Sequence, residues 1–570
     1  VQRSIGATSA LLDLGPGLIR HGTDRNGQAL AASVDPMVGG DGTVVSHASV
    51  LGGSPAVARR RLGAVVPPFR YVLHDRASDT VSAGADGLGL AHIYVAKADG
   101  IVLASTSATL LALATATSVD QSALKVYSLL GCFLGEQTLY SGVRKLAAGE
   151  HVELNSGKLL FHQQPDSVPV AVREEGFFPD LATAAQAGVE VLDEVFAGYA
   201  ITHPSPLFEL SGGMDSRLLL AFSSRHEWRD RRGLTIGPQA SADVQLAVQL
   251  AERRDVPLTV VPYAVFGDWD PAATLHRVTT AARHRDFASN GLTGAIFDDV
   301  SARTEASAQI SGQGGELGRG SYYAGQAERR GVTAQDALRI VQWRLAVNQA
   351  AAADVLSASV LEDREAVLRD ASWGYVRDLP DVWPGATDQI YLFGRMQRWA
   401  GIAYSKWTSD RPRLLPFFHP AYVEWAAQVP VHLKRESRTF VEMMSRVDLE
   451  LAKTPLTSGL TPQQTVSPSL AGRVRRARRD TRRAARKIGQ RLGGGRHAPA
   501  GAAQLAATVQ SAWRQEWPES LDESGFFDEQ ALAEVRSGAR ALDAVTVAFM
   551  VNVSQATAML QAGHPHGAAA

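Results

Sequence analysis

Pro206-Leu207-Phe208-Glu209-Leu210-Ser211-Gly212-Gly213-Met214-Asp215-Ser216-Arg217-Leu218-Leu219-Leu220 holds a short apolar run, then two glycines, an acid and a hydroxyl, then more apolar residues. The run 207–211 reads as a buried strand, and the residues after Met214 as the apolar face of a helix. Small residues at such a turn let backbone N–H groups and the positive helix end approach a polyphosphate. Asp215 stands where a carboxylate could hold the magnesium that accompanies nucleotide phosphates. No Gly-Lys-Ser/Thr closes the turn, so the loop is not of the Walker type. A lone Gly-Gly pair would read as an ordinary strand–turn–helix. The whole Ser-Gly-Gly-Met-Asp-Ser string between strand and helix favours a nucleotide.

The flanking sequence extends the same alternation. Residues 179–200 carry apolar residues at helical spacing, 233–237 reads as a second strand, and 257–262 as a third. Between the last two, Asp243 is placed to cap a helix whose Val244, Ala247, Val248 and Ala251 share one face. Strand–helix alternation of this length predicts a parallel, helix-covered sheet, whose ligands bind beyond the strand carboxyl ends. Both 211–216 and 235–237 fall there. A second glycine loop repeats the pattern: Ala308-Gln309-Ile310-Ser311-Gly312-Gln313-Gly314-Gly315-Glu316-Leu317-Gly318-Arg319-Gly320. It is not Gly-x-Gly-x-x-Gly, so a dinucleotide fingerprint does not fit.

Residues 1–165 are rich in glycine and short β-type runs. Strands are expected at 65–73, 91–96 and 101–104, a hairpin at 149–154 and 159–162, and helices at 108–114 and 120–134. Two prolines and no clear period mark 162–172 as the domain boundary. From Ala334 onward the pattern is helical, with Trp and Tyr residues at core spacing. A basic run with eleven Arg and Lys between Arg473 and Arg496 reads as a solvated segment, and the residues from Ala562 as a disordered tail.

Composition bounds these readings. The 570 residues suffice for two or more domains, and a net charge of −1 argues against a nucleic-acid partner. The one cysteine, Cys132, excludes an internal disulfide and a multi-cysteine metal site. No unbroken apolar run of about 18 residues appears, so no membrane span is expected, and the first thirty residues lack a secretory pattern. A reducing cytoplasm that supplies ATP fits best.

The Ser211–Ser216 string resembles the pyrophosphate loop (PP-loop) of the ATP-dependent, AMP-releasing ligases, most closely the asparagine synthetase and β-lactam synthetase family, which includes lasso-peptide cyclases. Ala85-Asp86-Gly87-Leu88-Gly89-Leu90 and Thr138–Glu150 resemble stretches of that family's N-terminal glutaminase domain. The resemblance implies an α/β protein. A degenerate Ntn-glutaminase-like, β-rich α+β domain at 1–165 would precede a Rossmann-like, parallel-sheet PP-loop ATP domain with a helical C-terminal part at 175–570. A basic insert would occupy about 470–500. It further implies ATP and Mg²⁺ as cofactors. Leu210, Ser211, Gly212, Gly213, Asp215 and Ser216 would form the first phosphate loop, Thr235 and Ile236 the adenine site. Ser311, Gly312, Gln313, Gly314 and Gly315 would form the second loop. Asp215 and Glu316 would hold the metal, Glu316 standing where relatives have Asp and Leu317 where they have Glu. Leu451-Ala452-Lys453 resembles the segment whose lysine, here Lys453, neutralises charge on the adenylate and leaving pyrophosphate.

The chain opens Val1-Gln2-Arg3-Ser4, unlike the cysteine-initiated pattern of glutamine-using relatives, and Cys132 sits in an apolar stretch, so glutaminase activity is expected to be absent. The family's base glutamate is not identifiable, and Asp410 with Tyr322 or Tyr323 could substitute. The implied activity adenylates a carboxylate and joins it to an amine, by ring closure of a precursor peptide or a small β-amino acid. Amidation of a glycan or metabolite carboxylate with non-glutamine ammonia, or a non-catalytic nucleotide-binding scaffold among biosynthetic partner proteins, are the alternatives.

Overall fold

The computed structural model describes residues 2–5, 8–13, 20–23, 29–32, 37–39, 43–51, 54–75, 78, 80–98, 101–155, 158–163, 177–323, 331–346, 349–379, 383–405, 411–466, 481 and 501–563. Most of the linker at 162–172, Asp410, the 473–496 basic run apart from Thr481, and the tail at 564–570 lie outside these residues.

Five short strands form a parallel sheet in the order Leu258–Val261, Arg232–Ile236, Pro206–Glu209, Ala308–Ile310, Arg413–Leu414. The chain adds two strands on one side of Pro206–Glu209, then crosses to the other side. The order therefore reverses between Pro206–Glu209 and Ala308–Ile310, where such sheets open a crevice. Phe208 lies opposite Ile310, so the two glycine loops leave the sheet side by side. Leu207, Phe208 and Ile310 are buried, as expected of strands covered on both faces. The helix Leu181–Thr202 packs Ala184, Leu192 and Phe196 into the same core as Phe208 and Leu218. The fifth strand, Arg413–Leu414, escaped the sequence reading because two residues show no period.

One capping expectation is corrected. Ser241, not Asp243, caps the helix Ala242–Glu252, accepting the Val244 N–H at 3.3 Å. Asp243 lies in the first turn and instead accepts the Gly212 N–H at 3.0 Å.

The described N-terminal part holds two large, mostly antiparallel sheets and a two-stranded ribbon, Met37–Val38 with Val44–Val45. One runs Gln2–Ile5, Thr8–Asp13, Ile101–Ser105, Tyr94–Ala98, Val143–Lys145. The other runs Lys158–Gln163, Glu150–Asn155, Thr80–Ala85, Arg70–Asp75, Ala29–Ala32, Arg20–Thr23. Val72, Val81, Val95, Val102 and Val152 pack between them. The expected strand at 65–73 begins only at Arg70, because Pro67 and Pro68 have no N–H to give a ladder. The expected hairpin pairs Val152 with Phe161, and the helix expected at 120–134 stops at Leu130, where Gly131 takes a left-handed φ of 62°.

Among the described helices, Ala544–Gly563 has the length and apolarity to cross a bilayer. Yet 72% of its apolar window is buried inside the protein, against helices that include Ala502–Gln515 and Pro271–Arg283. It is a core helix.

The two parts share one core in which Tyr94, Leu111 and Tyr127 meet Leu207, Val278 and Phe549. Asp286 pins the seam. Its Oδ1 accepts Ser107 Oγ at 2.6 Å and the Thr109 N–H at 3.2 Å, at the start of the helix Ala108–Ala114. Burial pushes its carboxyl up to about 6, against the opposing hydrogen bonds from Ser107 and Thr109. A folded-state value above the unfolded one means that this group's stabilising contribution is complete below the unfolded value, near 4, and is lost as pH rises through about 6. Asp286→Asn removes that titration. Urea titrations between about pH 4 and pH 7 should show the wild type losing about 2 kcal/mol relative to the Asn protein.

Candidate functional site

A cavity of about 460 Å³ opens where the two glycine loops leave the sheet. Of the expected site residues, Leu210, Ser211, Asp215, Ser216, Ser311, Gly312, Gln313 and Glu316 line it. Gly212, Gly213, Gly314 and Gly315 belong to the same two loops but do not line it. Thr235 and Ile236 end the adjacent strand Arg232–Ile236 and do not line the cavity.

The first loop is braced from within. Ser211 and Ser216 place their hydroxyls 3.0 Å apart, Ser216 Oγ accepts the Ser211 N–H at 3.1 Å, and Ser211 Oγ accepts the Gly213 N–H at 3.2 Å. With Gly212 bonded to Asp243, the N–H groups of both loop glycines are engaged inside the protein. No side chain caps the helix Met214–Ser223 that follows. Its first turn, with Asp215, is the end that faces the second loop. Contact between the loops explains two glycines: a Cβ on Gly312 would lie 3.0 Å from the Ser216 nitrogen, and one on Gly315 would overlap the Asp215 carboxylate.

This approach brings Asp215 and Glu316 together around Arg319. The Arg319 Nε lies 3.0 Å from Asp215 Oδ1, and its Nη2 lies 3.4 Å from Glu316 Oε1. Tyr391 donates its hydroxyl to Glu316 Oε2 at 2.6 Å. Burial pushes the Asp215 carboxyl up to about 7; Arg319 opposes this shift and the nearby Glu316 adds to it. Among the described residues Asp215 Oδ1 is buried without a hydrogen-bond partner, and the Arg319 guanidinium faces it. Two facing carboxylates with an unsatisfied oxygen fit a hard, oxygen-preferring cation held jointly with phosphate. Among the described residues no cluster of three or more His, Cys, Asp or Glu could hold a metal, so such an ion would need a ligand's oxygens to complete its shell.

One face of the cavity is a π-helix, Ile390–Ala400, with Gly401 N–H bonded to Met396 O five residues back. Tyr391, Arg395, Met396 and Trp399 from this helix line the cavity. Its other face grips the N-terminal part: Gln397 Nε2 donates to Leu88 O at 2.8 Å, and Arg398 bonds the carbonyls of Phe133 and Gln137. His92 Nε2 lies 2.8 Å from the Gln397 carbonyl.

The structure separates other candidates from the cavity. Lys453 ends the helix Leu449–Lys453 with its side chain 54% exposed, 3.7 Å from Glu450, and does not line the cavity. Tyr323 donates to Asp388, which pairs with Lys434 at 3.0 Å in a fully buried group. Tyr322 does line the cavity, 4.8 Å from Tyr391 between ring centroids. Its proposed partner Asp410 lies outside the described residues.

Sequence reasoning missed Arg319, Tyr391, Arg344, Arg395 and the role of Arg217. Arg319 carried one signal, a basic residue three positions after Glu316 at the spacing of helical neighbours. Tyr391, Arg344 and Arg395 come from distant segments. Arg217 is fully buried and donates to Leu451 O and Pro455 O at 3.1 Å, Gly212 O at 3.3 Å, and Thr454 O. Its guanidinium ties the segment around Lys453 to the first glycine loop, and burial pulls its pKa down to about 10.

Residues 39–164 match the family model of the glutamine amidotransferase domain. This part of the chain is a glutamine amidotransferase-type domain, consistent with asparagine-synthetase-like proteins. Comparison with curated proteins gives no significant match. Cys132 falls within the matched residues, but it is buried and burial pushes its thiol up to about 11, the reverse of what a nucleophile needs.

Arg217→Met would leave four carbonyl acceptors without their donor. The variant should lose about 3 kcal/mol or more in a urea titration, and hydrogen exchange should quicken at 451–455 and 211–213. Unchanged exchange there would refute the tie.

Proposed function

We propose that this protein is an ATP-dependent ligase that joins a carboxylate to an amine and releases AMP and pyrophosphate. The observation that carries this reading is the meeting of two glycine loops at the sheet's switch point, with Asp215 and Glu316 on one cavity. The loops would bind the nucleotide phosphates through Ser211, Ser216, Ser311, Gly312 and Gln313, with the ends of Arg232–Ile236 nearer the adenine. Asp215 and Glu316 would hold Mg²⁺, which supplies charge neutralisation at the phosphates.

A substrate carboxylate oxygen attacks the α-phosphorus, the bond to the pyrophosphate oxygen breaks, and an acyl-adenylate forms. An amine nitrogen then attacks the acyl carbon, the bond to the AMP oxygen breaks, and the nitrogen gives up its proton. The chain's part is positioning and electrostatics. Tyr391 orients Glu316, Arg319 keeps the two carboxylates together between turnovers, and Tyr322, Met396 and Trp399 provide apolar wall. Because Cys132 is unsuited to attack glutamine, an amine carried by the substrate is the simplest acceptor. That favours ring closure of a peptide or small amino acid. The amidotransferase-type domain favours a second reading, amidation of a carboxylate by ammonia.

Pyrophosphate exchange into ATP, screened against linear peptides, small β-amino acids and uronic acids, tests the reading. A carboxylate that supports exchange should lose it by at least about a hundredfold in Asp215→Ala. Exchange with none of them would count against every ligase reading. Glutamate release from glutamine by the same preparation would favour ammonia over a substrate amine.

A further inference from the structure

Charge on the cavity wall is unevenly matched. Of its three carboxylates, Glu209 accepts Arg413 Nη1 at 2.6 Å and Gln309 Nε2 at 2.5 Å, while Asp215 and Glu316 share Arg319. The wall also carries two cations, Arg344 and Arg395, and neither has a carboxylate partner among the described residues. Arg395 stands over the Trp399 ring with its guanidinium carbon 3.7 Å from the centroid. Arg344 stands over Tyr322 at 4.6 Å and donates to Tyr322 O at 2.7 Å and Ser321 O at 3.3 Å. An aromatic face orients a guanidinium without using up its N–H donors, so such a cation stays available to an anion. Burial already lowers the pKa of Arg344, the cost of a cation kept without a counter-ion.

We infer that Arg344 and Arg395 form a two-guanidinium clamp for the phosphate tail of the nucleotide, on the same cavity as the acidic pair. This rests on the ligase reading above and assigns to these arginines the charge-neutralising role that Lys453, exposed beside Glu450, does not reach the cavity wall to perform. The cavity then presents a cation-seeking pair and an anion-seeking pair to one ligand, as a magnesium–polyphosphate requires. A guanidinium offers paired N–H donors that fit phosphate oxygens, which a lysine cannot match.

Calorimetric titration of the full chain with Mg·ATP and with Mg·pyrophosphate tests the clamp. Among the described residues Arg395 makes no hydrogen bond, so Arg395→Gln should melt close to the wild type while binding both ligands about ten- to a hundredfold more weakly. Arg395→Lys should recover part of that loss. If Gln disturbs the Trp399 wall, Arg395→Met keeps the apolar packing and repeats the test. Wild-type binding of both ligands with unchanged affinity in Arg395→Gln and Arg395→Met would overturn the clamp and leave the nucleotide reading standing. Wild-type protein that binds neither ligand would overturn both.

Discussion

Two carboxylates at the end of adjacent strands repel each other, and in a partly buried crevice water screens that repulsion poorly. The arrangement of Asp215 and Glu316 therefore depends on the cation between them. Arg319 comes from the second loop itself, one turn after Glu316, so the loop brings its own counter-charge when it docks on the first. The glycines follow from the same constraint, because a side chain at Gly312 or Gly315 would push the loops apart and widen the spacing that Arg319 bridges. Removing one partner of such a group leaves an uncompensated charge and costs more than the pair contributes.

The supporting shell extends outward from that pair. Tyr391 reaches Glu316 from the π-helix, and the same helix carries Arg395 and Trp399 on the cavity side and Gln397 and Arg398 on the amidotransferase-type domain. A helix with five-residue hydrogen bonds is widened and rotated relative to an α-helix, which lets one short segment turn side chains to both neighbours. Arg217 performs a parallel service below the first loop by filling four carbonyl acceptors, one in the loop itself and three at 451–455.

What could be read from the sequence was what local pattern controls. The Pro206–Glu209 strand and its glycine turn, the second loop after Ala308–Ile310, and the helix Leu181–Thr202 each carry their own period or punctuation. The helix Ala108–Ala114 fell on its expected residues. The acid pair was legible because both acids follow a glycine loop. Its neighbours were not, since Tyr391 and Arg395 lie far along the chain in a stretch whose aromatic spacing looks like ordinary core. Lys453 shows the opposite case: its segment does dock near the first loop, through backbone carbonyls held by Arg217, while its own ammonium points to solvent. The capping role assigned to Asp243 failed for a similar reason. Ser241 was the nearer cap, and the carboxylate had a tertiary partner in Gly212 that no local rule could supply.

The two-faced helix Ile390–Ala400 also bears on how this chain can change over generations. Leu88, His92, Phe133 and Gln137 hold the back of a cavity wall, so a substitution among them is felt on a surface outside their own domain. The amidotransferase-type layer serves as masonry for its neighbour, and drift within it is limited by what that wall tolerates.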